Sequence, residues 1–123
     1  MRTAAKLVGG ILAGAIGCAG PGAAQEASIK VITTTLTRSG AHKECVSLSA
    51  SQSLRYWFRA DAPIDFSLQY RVGDETVMPV RQSKVAIGSG SFAAKVAEVH
   101  CMVLTNASGK PVTARLEFAR LSR

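Results

Sequence analysis

The run from Leu54 to Val72 (LRYWFRADAPIDFSLQYRV) constrains the fold more than any other part of the 123-residue chain. Leu54, Tyr56, Phe58 and Ala60 alternate with Arg55, Trp57 and Arg59. After Asp61-Ala62-Pro63 the alternation resumes, with Ile64, Phe66, Leu68, Tyr70 and Val72 set against Asp65, Ser67, Gln69 and Arg71. A period of two sends successive side chains to opposite faces of a strand, so the segment reads as two half-buried strands joined by a turn. Gly73-Asp74 is a two-residue hairpin signal into Glu75 to Arg81. Pro79 has no N–H to give to a ladder, which places this next strand at a sheet edge.

The rest of the chain follows the same grammar. Ile29 to Arg38 is rich in β-branched residues, with Ile32, Thr34 and Leu36 alternating against Thr33, Thr35 and Thr37, and reads as the first strand. Cys45 to Leu48 gives a short second strand. Lys84 to Ile87, a bend at Gly88-Ser89-Gly90, and a strand with Phe92, Ala94 and Val96 on one face follow the hairpin. Glu98 to Thr105 is apolar on both faces, as expected of a central strand covered on both sides. Asn106-Ala107-Ser108-Gly109 turns into a last strand, Val112 to Leu121. Short strands, close turns and no helical period predict an all-β fold, a small antiparallel β-sandwich of about seven to nine short strands.

The amino-terminal residues carry a different pattern. Arg2 and Lys6 precede the apolar stretch Leu7 to Ile16, and Gly22-Ala23-Ala24 forms a small-residue cleavage site, which together make residues 1–24 a secretory signal peptide. The apolar stretch is shorter than the about 20 residues a spanning helix needs, so no transmembrane helix is expected in the mature chain. Ala15-Ile16-Gly17-Cys18 offers the alternative of a lipoprotein signal over residues 1–17 with Cys18 lipidated, although the Leu usual three places before such a cut is missing. The soluble form is the preferred reading. Residues 25–28 then form a linker, and residues 29–123 a single β-sandwich domain. Arg2 and Lys6 leave with the signal and take no acid with them, so the formal charge of +7 falls by two to +5. A basic periplasmic or secreted domain suits a protein partner or an anionic envelope component such as lipid, lipopolysaccharide or acidic glycan. The basic residues are scattered rather than clustered, which argues against nucleic acid.

Cysteine parity agrees with export. Without Cys18, Cys45 and Cys101 are an even pair in an oxidising compartment, and one disulfide is expected, with a stabilising effect of roughly 4 kcal/mol through loop closure. Cys45 nevertheless shares its strand face with Ser47 and Ser49, while Val46 and Leu48 occupy the other. Either the cysteine lies outside the regular strand or the staple lies off the main core.

From Cys45 onward the order of features resembles a known family. A cysteine before a Ser-rich turn, the strands LRYWF and IDFSLQY, a hairpin, a Gly-Ser-Gly-Ser-Phe bend, a second cysteine in a late strand, then Thr-Asn-Ala-Ser and a closing strand are similar to the GOLD (Golgi dynamics) domain of early secretory cargo receptors. The resemblance spans about Glu44 to Ala119. It implies a Cys45–Cys101 bond across a β-sandwich and a bias toward protein or lipid recognition. Asn106 stands five residues after Cys101 rather than the family's usual three, and the receptors' transmembrane helix and tail have no counterpart.

Chemistry-bearing residues are few. His42 and His100 are the only histidines, Asp61, Asp65 and Asp74 the only aspartates, and Gly-x-Ser-x-Gly, His-Glu-x-x-His and Gly-rich phosphate loops do not occur. Cys101 and its neighbour His100 point to opposite faces of a strand. No enzymatic activity and no cofactor are expected. Asn106-Ala107-Ser108 matches a glycosylation sequon and is read as a turn. His100 and Met102 share a face and, with His42, Met78 or Cys101, would make a soft site for copper in a periplasmic copper-handling protein; the competing reading of this pair is core packing. The stripe Arg55, Trp57 and Arg59 is the preferred binding surface, since a Trp flanked by Arg suits stacking and carboxylate or phosphate recognition. Its bland alternative is a stripe that simply faces the second layer or an uncovered sheet, with the Arg stems lying over the indole. The chain thus reads as a non-enzymatic exported binding or structural protein, with an accessory subunit of an envelope assembly as a further alternative.

Overall fold

The computed structural model describes residues 28–122. The expected signal peptide, the Cys18 alternative and most of the 25–28 linker therefore lie outside the described residues. Six strands make up the fold: β1 (Lys30–Leu36), β2 (Ala41–Leu48), β3 (Ser53–Val72), β4 (Glu75–Ala93), β5 (Glu98–Thr105) and β6 (Val112–Leu121). They form one antiparallel sheet in the order β1-β6-β3-β5-β2, with β4 along the other side of β3.

β3 is the axis of this sheet. Its first half, Ser53 to Ala60, pairs with β6, while its second half, Asp65 to Tyr70, pairs with β5. β4 accompanies both halves, and the β3–β4 register shifts between Arg59 and Ile64 and again between Ile64 and Phe66. Extra residues on one strand of a ladder bend it and increase its twist. The bend curls the sheet into a half-barrel, with one arm of β1, β6 and the adjoining halves of β3 and β4, and a second arm of β2, β5 and their other halves. Asp65 Oδ1 accepts from the Lys84 amide at 3.0 Å, where Lys84 has φ 55°, and Asp61 Oδ1 accepts from the Thr113 amide at 3.1 Å. Carboxylates thus supply acceptors where the ladder is irregular.

The sandwich of seven to nine strands is therefore corrected to one curled sheet of six. The segments 54–60 and 64–72 are a single strand, and Asp61-Ala62-Pro63 is a bend inside it rather than a turn. The segments 75–81, 84–87 and the start of 92–96 merge likewise, and Gly88-Ser89-Gly90 lies within β4. Gly88 and Gly90 stand opposite Phe58 and Tyr56, whose rings occupy the space a Cβ would need. The glycines at these places make room for aromatic rings and do not break the strand. The hairpin at Gly73-Asp74 forms as expected, with Gly73 at φ 63°, and Pro79 lies on an edge strand.

The interior is the concave side of the curl. Leu54, Tyr56, Phe58, Ala60, Ile64, Phe66 and Leu68 of β3 are buried there with Met102 and Leu104 of β5 and Val112, Ala114, Leu116 and Phe118 of β6. Phe66 stacks on both Phe58 and Tyr56, with ring centroids 4.6 and 4.9 Å apart, so the inner aromatics of the two halves of β3 meet over the bend. Two inward expectations fail at the margins. Tyr70 is half-buried, and Val72 is exposed where the hairpin runs past the rest of the sheet. β5 is central, paired on both sides, but only its His100, Met102 and Leu104 face is buried.

The Cys45–Cys101 disulfide forms. The two residues are direct register partners on neighbouring strands β2 and β5, with Cα atoms 4.0 Å apart. It lies on the convex side, where Cys45 is exposed, which resolves the mismatch of faces noted in the sequence: the staple lies off the core. The pairing is the one the Golgi-dynamics resemblance also implied, and it joins adjacent strands of one sheet.

Candidate binding face

Inward burial of Leu54, Tyr56 and Phe58 leaves Arg55, Trp57 and Arg59 on the convex face of the first arm, where the two arginines are exposed and the indole is half-buried. Register sets their neighbours. Arg59 lies between Ile87 of β4 and Arg115 of β6, Trp57 between Ser89 and Glu117, and Arg55 between Ser91 and Ala119. Val31 of β1 continues the Trp57 row beyond Glu117. No strand or loop of the described chain forms a second layer over this face.

Arg115 Nε meets Glu117 Oε2 at 3.0 Å. That pair neutralises one cation of the patch, while Arg55 and Arg59 have no ion-pair partner among the described residues. Between the Arg55 and Trp57 rows runs a shallow trough of about 430 Å³, floored by Ala119 and the Ser89-Gly90-Ser91 backbone and reaching Ile29. Small side chains on β4 and β6 are what open it. Tyr56 borders the trough from below, and burial pushes its phenol above the ordinary 10.0. An apolar slot with guanidinium groups beside it can hold an aliphatic or aromatic side chain and pair with carboxylate or phosphate.

The sequence identified the three central residues of this face but not Ile29, Ile87, Ser89, Ser91, Glu117 or Ala119. These arrive from strands 26 to 64 positions away in sequence, through register that no local pattern encodes. The only local signal was parity, since each occupies the outward position of its own alternation.

The copper alternative disperses in the fold. His100 and Met102 are fully buried. His100 Nδ1 lies 2.9 Å from the Glu98 carbonyl, which can only accept, so Nδ1 donates there, and Nε2 is buried with no hydrogen-bond partner among the described residues. Around the imidazole stand Tyr70 and Phe92, with centroids at 4.6 and 5.8 Å. His42 is elsewhere, paired with Glu44 at 3.0 Å on β2, Met78 is exposed on β4, and Cys101 is in the disulfide. No cluster of three His, Cys, Asp or Glu occurs among the described residues.

Asn106 is a turn residue as expected, and a buried one. Its Nδ2 donates to the carbonyls of Leu36, Thr37 and Lys110 at 3.1, 3.1 and 2.7 Å, while Oδ1 accepts from the Ser108 amide and hydroxyl at 2.9 and 2.7 Å. The side chain ties the β1–β2 connection to the β5–β6 loop.

No protein-family model and no curated protein sequence match the chain. Among solved structures it is similar to the periplasmic inhibitor of g-type lysozyme PliG from Aeromonas hydrophila, with a TM-score of 0.58 and 13% identity over 76% of this chain and 87% of that one. It is also similar to the Yersinia pseudotuberculosis-derived mitogen, with a TM-score of 0.58 and 14% identity over 76% and 86% of the two chains. At such identity the likeness is one of fold.

Proposed function

We propose that the protein is an exported, non-catalytic binding protein that takes an acidic protein surface on the Arg55–Trp57–Arg59 face. The observation that carries this reading is the pair of unpaired, exposed guanidinium groups on either side of a half-buried indole on an uncovered sheet face, with Arg55 and Trp57 lining an apolar trough. Trp and Arg are the side chains that most often concentrate binding energy at protein interfaces, and the chain's positive charge draws an acidic partner toward the face. A fold shared with a periplasmic lysozyme inhibitor agrees with protein binding outside the cytoplasm, and a g-type lysozyme belongs among the partners assayed.

The test places a photo-crosslinking residue at Ser89 or Ser91 in the native envelope and then measures the captured protein's affinity with purified components. Arg55→Ala and Trp57→Ala should each weaken that affinity by about 2 kcal/mol, a loss of about 30-fold. Affinities equal to the parent's would remove this face from the function. If crosslinks went to lipid, lipopolysaccharide or glycan and the variants lost only that, the partner would be an anionic envelope component and the acidic-protein reading would fall. Mass spectrometry of the purified protein, starting at Gln25 or carrying lipid on Cys18, decides the mode of export.

A further inference from the structure

Among the described residues β4 has β3 as its only strand partner, so its other side is an unpaired edge along its 19 residues. Free edges pair with foreign strands unless something prevents it, and charge, proline and bulges are the usual protections. β4 divides sharply in this respect. Its first half holds Glu75, Pro79, Arg81 and the left-handed Lys84 beside the register shifts. From Ile87 to Ala93 there is no charge, no proline and no register shift, and Ile87 is 59% exposed. The unprotected half is the one that flanks Arg55, Trp57 and Arg59.

We infer that the Ile87–Ala93 edge of β4 accepts an extended, acid-bearing segment of the partner as an added antiparallel strand, its outward carboxylates meeting Arg55 across Ser91 and Arg59 diagonally across Ser89. The inference rests on the binding face proposed above and gives its mode of recognition. An added strand lies about 4.8 Å beyond β4, hence about 9.6 Å from β3. Arg side chains lean over that distance where the intervening residues are small: Ser91 stands directly beside Arg55, while Arg59, which faces Ile87, has Ser89 as its diagonal neighbour on the same face. Main-chain hydrogen bonds along the edge supply affinity and the convex-face side chains supply selectivity, as in other strand-addition complexes. An added strand of lysine character would meet two unpaired guanidinium groups, so the occupant is acidic. The same charge argues against a second copy of this basic chain.

The probe is a seven-residue peptide of alternating Val and Glu, compared with its Val/Lys counterpart and with a Val/Glu peptide N-methylated at alternate amides, against the mature protein at low salt. Saturable binding of the Val/Glu peptide is expected, with amide shifts confined to β4 residues 87–93 and the facing part of β3. N-methylation on the hydrogen-bonding side, exchange of Glu for Lys, and Ser89→Lys in the protein should each weaken binding by about ten-fold or more. Equal binding of methylated and unmethylated peptides would overturn the edge mode, and if Arg55→Ala still reduced that binding the face itself would stand. Concentration-dependent dimerisation abolished by Ile87→Lys, with no binding of the Val/Glu peptide, would replace the acidic strand by a second copy and overturn the inference. Failure of every peptide to bind would overturn it as well.

Discussion

At the scale of single residues, Asn106 shows how one amide can decide a connection. Three carbonyls and one Ser108 side chain converge on it in a site with no solvent exposure. Asn106→Ala leaves those carbonyls buried without their donor, and each unmet group costs far more than an average hydrogen bond is worth. The variant should be less stable by about 2–4 kcal/mol in urea unfolding. Asn106→Asp should be at least as unstable, since it aims an oxygen at three oxygens, and equal stability of the Asp variant would show that the donor role is unimportant. Only the turn was legible in the sequence. Asn-Ala-Ser-Gly has the composition of a turn because Asn bonds readily to nearby backbone, but its partners Leu36 and Thr37 are 70 and 69 residues away. No local pattern contains them. His100 is the reverse case: its chemistry suggested a ligand, and its place among Tyr70 and Phe92 is that of a core ring.

At the scale of elements, alternation was legible and continuity was not. Inward and outward sets along β1, β3 and β6 follow directly from period two, because only one register keeps the apolar set on the concave side. The joins misled because Asp, Pro and paired glycines mark turns in most chains, whereas here they sit inside strands. Pro63 falls where β3 leaves its ladder with β4, and Gly88 and Gly90 fall beneath rings. A test of that account is Gly90→Ala. A strand glycine ordinarily gains stability on replacement by alanine, through lower chain entropy. In β4 the new Cβ meets the Tyr56 hydroxyl and ring, and overpacking of this kind costs about 1–3 kcal/mol. Gly90→Ala should therefore lower the midpoint of thermal unfolding, and Tyr56→Phe in the same chain should recover part of the loss. A Gly90→Ala variant more stable than the parent would mean that the glycine is there for flexibility after all.

At the scale of the whole molecule, the two arms are joined by the continuous β3 and β4 strands and by one shared core, with Phe66 against Phe58 and Tyr56, Phe92 of the first arm against His100 of the second, and Arg120 Nη1 donating to the Ser47 carbonyl at 3.1 Å. The disulfide joins neither arm to the other. It holds β2, the outermost strand of the second arm, to β5, across a sequence separation of 56. Because Cys45 is exposed, replacing the pair opens no cavity, and the effect passes through the unfolded chain, whose freedom the bond restricts. Loop closure of this length corresponds to about 4 kcal/mol in the entropy model. The paired variant Cys45→Ser with Cys101→Ser should therefore keep the native near-ultraviolet spectrum and the Arg55–Trp57–Arg59 face while unfolding about 3–4 kcal/mol more easily, with a larger m value because the unlinked chain exposes more surface. The control is distance: β2 lies at the opposite end of the strand order from β1 and is separated from the binding face by β5. If removal of the staple weakened partner binding as strongly as Trp57→Ala under conditions where the fold persists, the face would have to extend over the second arm, and the assignment of recognition to the first arm alone would fail.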